Sequence, residues 1–383
     1  LINSKQLIFQ TASFSTAEPS ENLQNTILMT QNIAISINRF SRGGGMESYT
    51  FDLIRAFSSP NRHIHVYATK FDTTLPEYAQ IDPQLINQKH TPKKLRPFFF
   101  THQLQKYRQA NEQLISCNPS DHADIFICGG THLGHVHNIC REPNLINKLL
   151  DKLTIHRNRT NYRTAKSIMA HSALMARELT EFYGVPSEKI RVVYPPADTE
   201  RFSPASPEEI AAIRSRYGFK DHETVFLFPS TGHKRKGFDM LADFFTQTDL
   251  PVKLAVAGSP LPRPMKNIIE LGFCKNMPEL YRAADYTIMA SLYEPFGLVG
   301  VESILSGTRV VLADNIGCTE VMNDQAGFFF SRANPETLAD AIQKAVALKE
   351  SGKHKLANPA EALTYNPSLH EHFGALQAML EAV

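Results

Sequence analysis

At 383 residues the chain is too long for one comfortable hydrophobic core, so two domains are expected. Its 42% hydrophobic and 20% charged residues describe an ordinary soluble globular protein, and a net charge of +2 argues against wholesale nucleic-acid binding while leaving room for a local basic patch. Five cysteines, odd in number and without a CxxC pair, fit a reduced, cytoplasmic compartment. No apolar run approaches the ~18 residues of a membrane span, so the chain is not expected to be an integral membrane protein.

Residues 1–28 are polar and unpatterned and read as a poorly ordered extension; the first convincing strand follows Met29. From Asn32, NIAISINRF predicts a strand, SRGGGMES a glycine loop and YTFDLIRAF an amphipathic helix. Gly43, Gly44 and Gly45 lack a Cβ and tolerate positive φ, so the backbone there can approach a ligand closely. The pattern is not GxGxxG, and no ribose-binding acid follows at the expected distance, which weakens a dinucleotide reading.

HIHVYAT predicts a second strand, and Asp124 to Cys128 another, running into a loop that carries Gly129, Gly130, His132, His135 and His137. Three histidines invite a zinc hypothesis, but no HExxH or matching carboxylate supports it. A loop at the carboxyl edge of a parallel sheet is where ligands bind, so contact of His132 or His135 with substrate is the better functional reading; surface histidines without a role are the bland one. Two segments mix basic and apolar residues: 93–108, with Lys93, Lys94 and Arg96 beside Phe98, Phe99 and Phe100, and 147–166, with six cations against Asp151. Such mixtures suit an anionic membrane surface, although the apolar residues can equally be core.

Tyr194 to Pro204 has the composition of a linker near the middle of the chain. Ser206-Pro207-Glu208-Glu209 then reads as a helix start. TVFLFPS predicts a buried strand whose loop delivers His233, Lys234, Arg235 and Lys236 before a helix, and VKLAVAG the next strand. In Tyr286–Val311 the pattern is strand, a loop YEPFG, a helix LVGVESILSG ended by Gly307, and another strand. The loop offers free N–H groups around Gly297 and Leu298, an anion site flanked by Glu294 and Glu302. Taken alone, Glu294 can equally be a cap and Glu302 a solvated helix face.

This order of features resembles the retaining glycosyltransferases of family four over essentially Asn32 to Val383. The most specific element is EPFGLVGVE, Glu294 to Glu302; GGMES at Gly44 to Ser48, RKG at Arg235 to Gly237 and YGVPSEKIRVVYPPAD support it. The resemblance implies an α/β protein of two facing Rossmann-like domains with a cleft between them, the B-type glycosyltransferase fold. Residues 29–195 would form the acceptor domain and 196–360 the nucleotide-sugar domain, with 361–383 a helix packing back toward the first.

In catalysis the resemblance implies roles for Glu294, His132, Lys236 and Arg235. In donor binding it implies Gly44, Gly45, Arg235, Lys236, Glu294, Phe296, Gly297, Leu298 and Glu302. Arg235 and Lys236 would neutralise the diphosphate, Glu302 would hold the ribose and Glu294 would contact the transferred sugar, with no cofactor and no metal required. The expected partners are a nucleotide-sugar donor, a glycan or lipid-linked acceptor and an anionic membrane surface through 147–166. That segment looks like the membrane-interaction region of lipopolysaccharide-core glucosyltransferases, which places the protein at the inner face of a bacterial cytoplasmic membrane, with no nucleic acid involved.

The chain departs from the family pattern in two places. Ser230 stands where many members carry an arginine six residues before the lysine, with His233 or Lys234 as compensation. Ile316-Gly317-Cys318-Thr319-Glu320 replaces the usual glycine-glycine-x-proline-glutamate. The family's N-domain histidine is assigned first to His132 and second to His135. Rival readings are a nicotinamide-dependent oxidoreductase on the same architecture and a non-catalytic glycan- or lipid-binding protein of the same fold.

Overall fold

A computed structural model describes residues 32–59, 64–93, 95–139 and 145–383. The extension expected at 1–28, Lys94 and Cys140 lie outside the described residues. The first half runs β1 (Asn32–Ser36), α1 (Gly45–Phe57), β2 (Ile64–Ala68), β3 (Ile81–Leu85), α2 (Arg96–Tyr107), β4 (Glu112–Ser116), β5 (Ile125–Cys128), α3 (His132–Asn138), α4 (Leu145–Thr164), β6 (Ser167–Ala170), α5 (Ala173–Tyr183) and β7 (Ile190–Val192). Its strands form one sheet in the order β3-β2-β1-β4-β5-β6-β7.

The second half continues with α6 (Pro207–Tyr217), β8 (Thr224–Ser230), α7 (Phe238–Gln247), β9 (Val252–Gly258), β10 (Ile268–Gly272), α8 (Met277–Ala283), β11 (Tyr286–Met289), α9 (Leu298–Leu305), β12 (Arg309–Ala313), β13 (Gly327–Phe330), α10 (Glu336–Glu350) and α11 (Leu369–Glu381). The second sheet has the order β10-β9-β8-β11-β12-β13. Every named strand pair in both sheets is parallel.

Parallel strands covered by helices on both faces read as unbroken apolar runs rather than alternations. TVFLFPS and YTIM are accordingly buried at every position. Strand order reverses once in each sheet, between β1 and β4 and between β8 and β11. Loops leaving those strands diverge there and open a crevice at the carboxyl ends, the usual ligand position in doubly wound sheets.

Local signals are used as the chemistry suggests. Ser206 caps α6 with Glu209 completing a capping box. Gly307 takes φ +81 just past α9, where a Cβ would be strained. The loop expected around the three histidines is instead the short helix α3: Thr131 accepts a hydrogen bond from the Gly134 N–H and starts it. Helix α11 lays Phe373, Leu376, Met379 and Leu380 into the core beneath the first sheet, and its His372 lies 2.7 Å from the Tyr49 hydroxyl on α1.

Candidate active site

The loop between β8 and α7 is held by its last glycine. Gly237 adopts φ +77, and a Cβ there would overlap the Ala290 carbonyl oxygen, so only glycine lets the two loops at the β8–β11 reversal lie this close. Arg235 donates from Nη1 to the Tyr293 carbonyl at 3.0 Å and to Glu294 Oε2 at 2.9 Å. Lys236 turns inward and donates to the Pro229 carbonyl at 3.0 Å. Burial lowers the Lys236 pKa; Glu294 and Glu302 pull it back up, while Arg235 lowers it further.

Glu302 stands one turn inside α9, accepting from the Tyr281 hydroxyl at 2.8 Å. Burial raises its pKa against the opposing influence of Tyr281, Arg201 and Lys236. Lys236, Glu302, Tyr281, Ser230 and Gly258 line one pocket of about 200 Å³, together with Phe273 and Cys274. Gly297 caps α9 with φ +90, and its carbonyl takes the Gly300 N–H at 2.9 Å, so the donors this helix start can offer a ligand are those of Leu298 and Val299. A pocket with a cation, a helix N-terminus and a recessed carboxylate can hold a polyanion bearing hydroxyl groups.

Phe296 is placed differently from a ligand contact: its ring is buried and packs 6.0 Å from Tyr194, leaving only its main chain near the loop. At the Ser230 departure, His233 Nδ1 lies 2.8 Å from the serine hydroxyl, and His233 Nε2 faces the Ser259 and Pro260 carbonyls at 3.1 and 3.2 Å. Both ring nitrogens are thus engaged in holding the loop, while Lys234 is exposed.

In the first domain, Gly44 caps α1 and Gly45 opens it, both solvent-exposed. Neither uses a positive φ; Gly44 sits at φ −91, so that part of the expected reason for glycine is replaced by open space, since nothing lies within 4 Å of a Cβ at Gly45. The histidines diverge. His132 Nε2 pairs with Asp151 Oδ1 of α4 at 3.0 Å, His137 packs edge-on against Phe182, and His135 reaches the other domain, its ring 6.3 Å from that of Tyr293. Among the described residues no group of three or more His, Cys, Asp or Glu is arranged to hold a metal ion.

The contacts that join the two halves escaped the sequence reading. Tyr293 donates to Glu178 Oε2 at 2.8 Å, Thr131 also donates to that oxygen, and the Thr131 N–H meets the Tyr293 hydroxyl at 3.4 Å. Ser172 donates to the Pro295 carbonyl at 2.8 Å, and Glu320 accepts the Ala173 N–H at 2.6 Å, capping α5 from the opposite domain. Gly317, in the departing IGCTE stretch, has no room for a Cβ beside the Pro295 carbonyl, and its N–H bonds the Glu294 carbonyl at 3.0 Å. Only the acid and the glycine of that stretch were visible as signals; their partners, Ala173 and Glu294, lie more than 20 positions away, and nothing local marks Glu178 as the partner of Tyr293 and Thr131.

Comparisons with known proteins fit this geometry. Residues 43–201 match Glycosyltransferase Family 4, and residues 209–362 match Glycosyl transferases group 1. A probable transglycosylase of Burkholderia thailandensis is 39% identical over 349 residues, covering 90% of this chain and 95% of the relative. The fold is shared with WaaG, a glycosyltransferase involved in lipopolysaccharide biosynthesis (TM-score 0.70, 17% identity, 84% of this chain and 92% of that one). It is also shared with Anabaena HepE solved with UDP-glucose (TM-score 0.70, 17% identity, 92% of this chain and 100% of that one). These matches set the nicotinamide oxidoreductase reading aside, and the chain belongs to the family-four, group-1 glycosyltransferases of the two-domain B-type fold.

Proposed function

We propose that the protein moves a hexose from a nucleotide diphosphate sugar to a glycan or lipid-linked glycan acceptor with retention of anomeric configuration, in bacterial lipopolysaccharide or surface-polysaccharide synthesis. The observation that carries this reading is the grouping of Arg235, Lys236, the α9 N-terminus and Glu302 around the β8–β11 reversal. The diphosphate lies against Lys236 and the α9 N–H groups, the ribose hydroxyls donate to Glu302, and Glu294 addresses the sugar. The bond from the anomeric carbon to the phosphate oxygen breaks as the acceptor hydroxyl attacks from the same face, its proton passing to the departing diphosphate. Catalysis is stabilisation of that leaving group and positioning of the acceptor. Burial disfavours the charged form of Lys236 and a bound dianion favours it, so cationic side chains do the work without a divalent metal.

HepE was solved with UDP and UDP-glucose, which makes uridine the first base to test, and the transglycosylase name of the Burkholderia relative suits a glycan acceptor. A thermal-shift screen of uridine, guanosine and adenosine diphosphates and their sugars, with and without EDTA, tests the donor. A ligand at 100 times its Kd adds about 2.7 kcal/mol of stability. If no nucleotide sugar stabilises the protein and none is consumed with bacterial glycan acceptors, the reading fails.

Contact with an anionic membrane is supported by the outer face of α4, where Leu149 and Leu153 are exposed beside Lys148 and Lys152. Arg157 links this face to α2, its guanidinium 5.7 Å from the ring of the exposed Phe98. No helix among the described residues is long and apolar enough to cross a membrane. Phosphatidylglycerol vesicles should therefore pull the protein down at low salt and release it at high salt, each basic group contributing about 1 kcal/mol. Sedimentation indifferent to salt and to a Leu149→Ser/Leu153→Ser change would count against surface docking.

A further inference from the structure

Tyr293 immediately precedes Glu294, and its two polar atoms point to different domains. Its carbonyl accepts from Arg235, the guanidinium that also grips Glu294 Oε2. Its hydroxyl crosses to the first domain and donates to Glu178 at 2.8 Å. Glu178 is built into that domain: Thr131, which starts α3, donates to the same carboxylate, which lies so close to Gly134 that a Cβ there would displace it. Both Tyr293 and Glu178 are buried. Burial raises the Glu178 pKa, with its hydrogen bonds to Thr131 and Tyr293 opposing the shift.

The surroundings make this bond matter. Beside Tyr293 the domains leave a partly open cavity of about 290 Å³, bordered by Arg177 and Leu174 on one side and Gly317 and Glu320 on the other. Among the described residues four hydrogen bonds cross the junction here: Tyr293 to Glu178, the Thr131 N–H to Tyr293, Ser172 to Pro295 and Ala173 to Glu320. Three of the four attach to the loop that holds Glu294. A buried bond to a carboxylate is also the kind whose loss is felt most, because the remaining acceptor stays desolvated.

We propose that Tyr293 is a positioning residue that ties the Arg235–Glu294 pair to the first domain through Glu178, so that closure of the cleft and placement of Glu294 are a single step. The proposal rests on the reading of Glu294 as the group facing the transferred sugar, but the linkage itself exists whether or not that sugar is correctly named.

The test uses the full chain with Tyr293→Phe, which removes one oxygen, and Glu178→Gln, which keeps an acceptor for the tyrosine. Amide exchange is followed at residues 294–298, at 173–175 and in strands β8 and β11. Tyr293→Phe should speed exchange about tenfold at both loop segments and leave the strands unchanged, with Glu178→Gln close to wild type. With whichever nucleotide sugar the screen selects, Tyr293→Phe should lower kcat about tenfold and leave donor KM within about twofold, since Lys236 and Glu302 are untouched. Unchanged exchange at 173–175 would overturn the linkage, as would faster exchange throughout the strands, which would mark a merely structural tyrosine. A wild-type protein that transfers no sugar would sink the functional reading and still leave the exchange experiment to decide this one.

Discussion

The Arg235 guanidinium lies 2.9 Å from Glu294 Oε2, joining a cation from the loop after β8 to a carboxylate from the loop after β11. Arg235 is about one-third exposed, so its charge remains available on the open side while Glu294 is held in place. Both contacts come from Nη1 of a planar guanidinium, and a lysine keeps the charge but places its ammonium on a shorter, flexible stem without that planar geometry. Arg235→Lys is expected to lower kcat/KM by about 100-fold in a transfer assay, and Glu294→Gln to lower kcat by a comparable factor with nucleotide affinity retained.

Glu302 and Lys236 face the same pocket from different elements, which predicts a different failure. Glu302→Ala and Lys236→Ala should each abolish transfer and remove the thermal shift caused by nucleoside diphosphate, with circular dichroism unchanged. Tyr281→Phe, which strips only the hydroxyl on Glu302, should raise donor KM by about tenfold. Wild-type turnover in either alanine variant would refute the site.

Two glycines separate folding from ligand approach. Gly237→Ala forces a Cβ into the Ala290 carbonyl at φ +77 and should cost about 3 kcal/mol or prevent folding, read as a fall in the denaturant midpoint. Gly45→Ala adds a methyl to open space in the first turn of α1, so stability should hold or rise slightly. If Gly45→Ala nevertheless loses donor affinity, the methyl is meeting ligand rather than protein.

Acid sensitivity should centre on Asp285. Its buried carboxylate accepts the Val225 N–H at 2.7 Å and Lys349 at 2.9 Å, with Arg214 at 3.3 Å and His354 at 3.2 Å. Burial opposes the charge, but His354, Arg214 and Lys349 outweigh it and hold the pKa well below the usual carboxylate range. The folded pKa is lowered, so this contribution is complete above the unfolded value of about 3.9 and is lost as pH falls below it toward the folded pKa. Asp285→Asn should cost about 3–5 kcal/mol at neutral pH, because it strands Arg214 and Lys349, and should flatten the stability loss between pH ~4 and pH ~2 in urea titrations.

Much of this was legible in the chain itself. Continuous apolar runs alternating with amphipathic segments imply parallel sheets under helices, and each step is local: a run of four to seven β-formers, a capping serine, a glycine stop. The spacing of Glu294 and Glu302 around a strand-to-helix loop likewise announced an anion site, because backbone polarity at a helix start follows from the helix alone. The chain also proposed a loop where Thr131 and Gly134 start α3, an error of local capping over only seven residues.

Tertiary structure decided which side chains share a space. Phe296 reads as part of the ligand loop, yet packing against Tyr194 and Tyr365 removes its ring from the cleft. His132 and His135 are three positions apart and indistinguishable in pattern; one turns to Asp151 and the other to Tyr293. Glu178 is 115 residues from Tyr293 and Glu320 is 147 from Ala173. A hydrogen bond at such separation depends on the placement of two separate sheets, and that placement leaves no periodicity to read. The residues proposed for the chemistry announce themselves by local spacing, whereas those that join the two domains are identified only by the distances between them.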